Sequence, residues 1–161
     1  MACVACTNPA EVDESADLTP NAGNALTVTL AKSSWTWNEV SAAAGSGIQA
    51  TVRNGSSRSL RSFLGDAFNG ATEQADLYLA DQSGGGAIEW RDGSGTWQPV
   101  SLGVLAEGVK AVTLRPAGSY TLTALLAGPR RTGTFRIRID YYDDPAGTER
   151  QSDYSASFEV R

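Results

Sequence analysis

From Gly133 to Tyr142 the chain reads Gly-Thr-Phe-Arg-Ile-Arg-Ile-Asp-Tyr-Tyr, with large apolar side chains at 135, 137, 139 and 141 and polar ones at 136, 138 and 140. A helix would spread these apolar residues around its circumference, so a period of two marks a strand with one face on a core and one in water. Half-buried strands of this kind belong to antiparallel sheets. The stretch therefore predicts the central strand of an all-β domain.

The same period recurs along the chain. Leu26, Val28 and Leu30 alternate with threonines and predict a strand over 25–31, after which Lys32-Ser33-Ser34 predicts a kink or a switch of sheet. Trp35 and Trp37 then fall on one face by the same period. Ile48, Ala50 and Val52 mark a strand ending at the Asn54-Gly55 turn. The stretch 59–70 has helical spacing at Leu60, Phe63, Leu64 and Phe68 but is short and bounded by glycine, so it predicts a strand or an irregular crossover with at most one helical turn. Strands are also expected at 76–80, 87–90, 96–100, within 105–114, and around Tyr120, Leu122 and Ala124. Asp92-Gly93 makes a hairpin of the strands carrying Trp90 and Trp97 and is expected to bring both indoles to one face.

The last strand, 154–160, is expected to pair with the central one across a polar loop, Asp143 to Asp153. The register that matches apolar faces sets Phe135 against Val160, Ile137 against Phe158, Ile139 against Ala156 and Tyr141 against Tyr154. It also places Arg136 opposite Glu159. A slip by one residue would turn Phe158 and Val160 to solvent, whereas a slip by two keeps the faces and is the competing register.

Short strands, turn signals and no βαβ alternation describe a Greek-key sandwich of two antiparallel sheets. The motifs Val52-Arg-Asn54-Gly-Ser56, Trp90-Arg-Asp92-Gly93, Ala117-Gly118-Ser-Tyr120-Thr-Leu122, Gly133-Thr-Phe135-Arg-Ile137 and Tyr154-Ser-Ala-Ser-Phe158-Glu-Val160 resemble bacterial immunoglobulin-like domains of secreted lipoproteins. The resemblance covers residues 25–161 and implies a fold and a location rather than an activity. Phe135 stands where such domains often place the tyrosine of a tyrosine corner, and the inter-sheet disulfide of antibody domains is missing.

Charge and composition narrow the function. A formal net charge of -5 lacks the basic footprint that nucleic acid or an anionic membrane requires. The sequence contains no histidine, the commonest general base and metal ligand. Its two cysteines, Cys3 and Cys6, lie in the tail. Ser-His-Asp is thus impossible, and neither a Gly-x-Ser-x-Gly elbow nor Ser-x-x-Lys occurs. No enzymatic activity and no cofactor are expected.

Val4-Ala5-Cys6 has the form of the end of a bacterial lipobox, which makes Cys6 the expected lipid-attachment residue, with Cys3 as second choice. Residues 1–24 would then be a disordered tether, too polar to order themselves, and 25–161 the sandwich. The membrane is reached only through the lipid, and the module sits in the periplasm or at the cell surface. The expected partner is a protein or polysaccharide of the cell envelope, met by loop residues Asn54, Ser56, Asp143, Asp144 and Glu149. Asp140, Asp143, Asp144, Glu149 and Asp153 offer carboxylates to calcium, but their spacing matches no EF-hand, and a solvated hairpin loop is the preferred reading. The alternative function is a carbohydrate-binding module built on exposed tryptophans.

Overall fold

The computed structural model describes residues 24–67, 76–80, 83–103, 108–143 and 148–161. It is all-β, with one helical turn among the described residues, α1, Trp37–Val40. The strands are β1 Leu26–Leu30, β2 Ser34–Trp35, β3 Ile48–Asn54, β4 Leu60–Ala67, β5 Asp76–Tyr78, β6 Gly86–Arg91, β7 Trp97–Val100, β8 Gly108–Leu114, β9 Ser119–Ala124, β10 Gly133–Tyr142, β11 Arg150–Tyr154 and β12 Phe158–Val160. The ambiguous stretch after Ser59 is a strand, β4.

The central-strand expectation holds. One edge of β10 pairs with β6 along Phe135 to Ile139, and the other pairs with β11 and β12. Its apolar positions Phe135, Ile137, Ile139 and Tyr141 are all buried. Across the core lie β1, β3 and β9, paired antiparallel, with Val28, Ile48, Ala50, Val52 and Leu122 turned inward. Chain entry into both groups follows from the predicted switch near Ser33: β1 pairs with β3, whereas β2 pairs with β12.

The two strand groups are joined along one side. β5 pairs parallel with β9 and antiparallel with β4, and β4 reaches β10 through Arg61 and Tyr142, so one mixed network curls into a half-barrel. The second parallel pair is β2 with β12.

The predicted terminal register is corrected. Phe158 lies opposite Phe135 and Val160 opposite Gly133, the slip by two. The strand then breaks, and β11 resumes with Tyr154 opposite Arg138. Between these pairs Arg136 and Ile137 face Ser155, Ala156 and Ser157, one residue too many, which is a β-bulge. Ser155 stabilises it by accepting the Ile137 N–H on Oγ at 2.9 Å, while its own N–H donates to the Ile137 carbonyl at 2.9 Å. The extra residue inverts the faces of β11: Asp153 is buried and Tyr154 is 39% exposed. The expected polar loop from 143 to 153 is therefore shorter, because its last residues are strand.

Both tryptophan pairings are corrected as well. Trp35 is buried in β2 edge-on to Phe158, with ring centroids 4.9 Å apart, but Trp37 opens α1, where period two no longer applies. That turn forms because the Thr36 N–H donates to Glu39 Oε2 at 2.6 Å. Bonds from Lys32 first, then from Thr36, hold the Glu39 carboxyl down at about 2. In the hairpin, Trp97 lies opposite Arg91 and Trp90 opposite Gln98, so the two indoles occupy opposite faces. The Asp92 turn spans one residue fewer than a shared face requires. Trp90 keeps the inward side, packing on the core and donating from Nε1 to the Thr132 carbonyl at 3.1 Å.

Gly86 is required where β6 meets β10. At φ +146° a Cβ there would lie 2.0 Å from the Arg138 carbonyl oxygen.

Candidate functional site

The outward positions of β10 carry Arg136, Arg138 and Asp140, and the ladder with β6 sets Glu89 directly opposite Arg136. Glu89 Oε2 accepts from Arg136 Nε at 2.8 Å, and Glu89 Oε1 accepts from Arg138 Nη1 at 2.9 Å. Arg138 also donates from Nε to Asp140 Oδ1 at 3.0 Å, which accepts the Ser152 hydroxyl at 2.6 Å. Arg150 approaches Asp140 Oδ2 at 3.8 Å. Burial by itself would lower the Arg138 pKa, but Asp140 and then Glu89 outweigh it and raise the value above the usual range.

Aromatic rings fix these guanidinium groups from the sides. Arg136 lies between Trp97 of β7 and Tyr154 of β11, its Cζ 4.3 Å and 4.1 Å from the two ring centroids. Arg91 approaches Trp97 at 5.9 Å and Arg131 covers Trp90 at 5.3 Å. Each contact lies within the ~6 Å range of a cation–π attraction. Tyr154 is available only because the bulge turned it outward.

The sequence-predicted loop residues have other surroundings. Asn54 is fully buried: its Nδ2 donates to the carbonyls of Arg58 at 2.7 Å and Leu114 at 3.0 Å, and its Oδ1 accepts the Ser56 N–H and hydroxyl. We therefore read Asn54 as the organiser of its loop rather than a contact residue. Ser56 is bound within the same turn. Asp143 meets Arg58 at 3.4 Å, which brings the two expected loops to one end of the molecule. Glu149 also lies there, just before β11, whereas Asp144 and Cys6 fall outside the described residues.

Asp140 and Asp153, two of the acidic residues weighed for calcium, point away from each other. Asp140 faces outward beneath its arginines and Asp153 faces inward on the other side of β11, because alternate strand residues point to opposite faces. Among the described residues, no group of three or more His, Cys, Asp or Glu is placed to hold a metal. Asp92 is engaged by its own turn, with Oδ1 accepting from Ser94 and Thr96, and the Ser94 bond is the first cause of its lowered pKa.

Asp153 latches β11 to β1, accepting the Leu26 N–H at 2.7 Å across 127 residues of sequence. Burial pushes its carboxyl above the ordinary value, and the Leu26 amide pulls it only part of the way back. Burial, then the Asp153 charge, push the Tyr141 hydroxyl up to about 12. Because the folded-state value of Asp153 exceeds the unfolded one, the folded chain binds more protons in the window just above the ordinary pKa. Stability therefore falls as pH rises through that window and stays lower above it. Asp153→Asn, uncharged but still an acceptor for Leu26, is expected to melt no lower than the parent near about pH 7, with any advantage closing near about pH 3. Asp153→Ala strands the amide and should cost about 1–3 kcal/mol. Thermal melts of both variants at both pH values test this, and an asparagine variant less stable than the alanine one would reject it.

No protein-family model and no curated protein matches the chain. Among solved structures it is similar to a family 123 glycoside hydrolase from Clostridium perfringens, at 14% identity and a TM-score of 0.33. The match covers 86% of this chain and 27% of the hydrolase, so the chain spans just over a quarter of that protein. A TM-score of this size establishes no common fold.

Proposed function

We infer that the chain is a non-catalytic binding module held outside the cytoplasmic membrane by a lipid on Cys6, where it contacts another protein. The observation that carries this reading is the outer face of β6, β7, β10 and β11, on which Arg136 is held between the Trp97 and Tyr154 rings and bonded to Glu89. Protein interfaces favour these three residue types as anchors, tryptophan and tyrosine because they offer large area at low entropic cost. Every oxygen of Glu89 and Asp140 is engaged by a guanidinium or hydroxyl group. A carboxylate so engaged is poorly placed to act as a general base, which supports a non-catalytic role.

An immunoglobulin-like Greek-key sandwich is supported by the two strand groups facing each other across the core and by the division of the first strand between them. The sugar-binding alternative is weaker. Trp35 is buried, and Trp90 and Trp97 are each approached by an arginine over the ring where a sugar would stack.

Expression of the full reading frame in a bacterium, followed by fractionation, tests the location. The protein should partition with membranes and Cys6→Ser should release it; a parent that stays in the cytosol would overturn the reading. Binding is tested in the same cells with a photoreactive amino acid placed at Tyr154 or at Glu149. A discrete protein adduct from either position supports a binding module, and none from both rejects it.

A further inference from the structure

The charges of this outer face are stratified. The carboxylates form the lower layer, with side chains 7% exposed for Glu89 and 2% for Asp140. The guanidinium groups form the upper layer, at 23% for Arg136, 27% for Arg138 and 59% for Arg150. Arg91 adds a further cation beside Trp97. Two other carboxylates nearby are turned aside: Glu159 accepts the Thr134 hydroxyl and Asp92 is held by its own turn. What an approaching molecule meets is therefore guanidinium, on a chain whose net charge is -5.

The orientation of Arg136 is fixed before any partner arrives. The Trp97 and Tyr154 rings hold the plane of Arg136, and Glu89 holds two of its nitrogens, Nε and Nη2. Among the described residues nothing accepts from its third nitrogen, Nη1, nor from the terminal nitrogens of Arg91. Guanidinium donors fixed in this way form bidentate, charge-assisted bonds to carboxylates at little entropic cost. Because buried carboxylates lie directly beneath the cations, the field fades beyond contact range, so recognition depends on touching groups rather than on long-range steering.

We propose that this face docks an acidic surface of a partner protein, whose Asp and Glu carboxylates bond to the upper guanidinium layer with Trp97 and Tyr154 as its aromatic rim. The proposal rests on the binding-module reading above and adds the place and the chemistry of the contact. An anionic polysaccharide offers carboxylates too, but its sugar rings need open aromatic faces, and the faces of Trp97 are where the arginines lie.

The test is an NMR titration of the folded chain, observing the Trp97 indole N–H and the Arg136 Nε–H. The probes are a ten-residue oligoglutamate, an oligolysine of the same length and an alginate oligosaccharide. Oligoglutamate is expected to shift both signals saturably while the other two leave them unchanged. The double charge reversal Arg91→Glu with Arg150→Glu, at guanidinium groups that do not support the core, should weaken the response at least tenfold without altering the rest of the spectrum. Arg53→Glu, a charge reversal at an exposed position of β3 outside this face, serves as a second variant and should keep the oligoglutamate response. Shifts confined to the Asn54 and Asp143 end, or no shift, would overturn the proposal, and an equal response to alginate would replace the protein partner with a polysaccharide. A cellular adduct from Glu149 but not from Tyr154 would refute this docking face while leaving the binding module intact.

Discussion

Replacement of Phe135 by alanine is expected to destabilise the fold by about 3–5 kcal/mol, the range for truncating a fully buried phenylalanine. Phe135 has no exposed surface, stacks on Phe158 with centroids 5.9 Å apart, and lies between Trp90 of β6 and Phe158 of β12. The cavity would open where β6 and β12 join β10, so the neighbours cannot close it without moving a ladder. For a chain of this size the loss corresponds to a melting-point drop of roughly 6–20 °C. Phe135→Leu, which refills much of the volume, should lose clearly less. Denaturant titrations with unchanged m value measure both, and a loss below about 1 kcal/mol for the alanine variant would remove β10 from the centre of the core.

The second large effect is expected at Asn54. Asn54→Ala removes the donors to the Arg58 and Leu114 carbonyls and the acceptor for Ser56, leaving buried polar groups without partners. The expected cost is about 2–3 kcal/mol. Asn54→Asp keeps the acceptor but turns a carboxylate oxygen toward two carbonyl oxygens, so it should be no better than alanine. The same residue was expected from the sequence to touch a partner. Its burial implies that Asn54 variants weaken binding only as far as they unfold the loop, which parallel melts and partner-crosslinking yields from Tyr154 would show. A variant that keeps its melting temperature and loses the adduct would restore Asn54 to the contact surface.

Strand positions were legible because burial on one face writes a period of two directly into neighbouring residues. Val52 beside Arg53 and Ile137 beside Arg138 already state which side is inside. The Asp92-Gly93 turn was legible for a similar reason, since the bonds of the Asp92 side chain reach only to Ser94, Thr96 and Gln98. That Trp90 and Trp97 take opposite faces was not legible, because one residue more or less in a turn reverses every side chain after it.

The candidate site was hidden for a stronger form of the same reason. Arg136, Arg138 and Asp140 are visible as the polar half of an alternation, and alone they read as a solvated strand face. Their meaning comes from Glu89, 47 residues away from Arg136, and from Tyr154, whose outward turn depends on one extra residue at Ser155 to Ser157.

The sequence by itself determined that the chain is β, that the apolar positions of β1, β3 and β10 face inward, and that the chain carries no histidine. These properties are local, fixed by residue type and by a repeat of two. Only the tertiary structure decided which strands pair, that the network is mixed, that Asn54 and Asp153 are buried, and that arginines cover carboxylates on the outer face. Those outcomes depend on hydrogen bonds spanning 47 to 127 residues, whose register is selected by the packing of the whole core rather than by any segment alone.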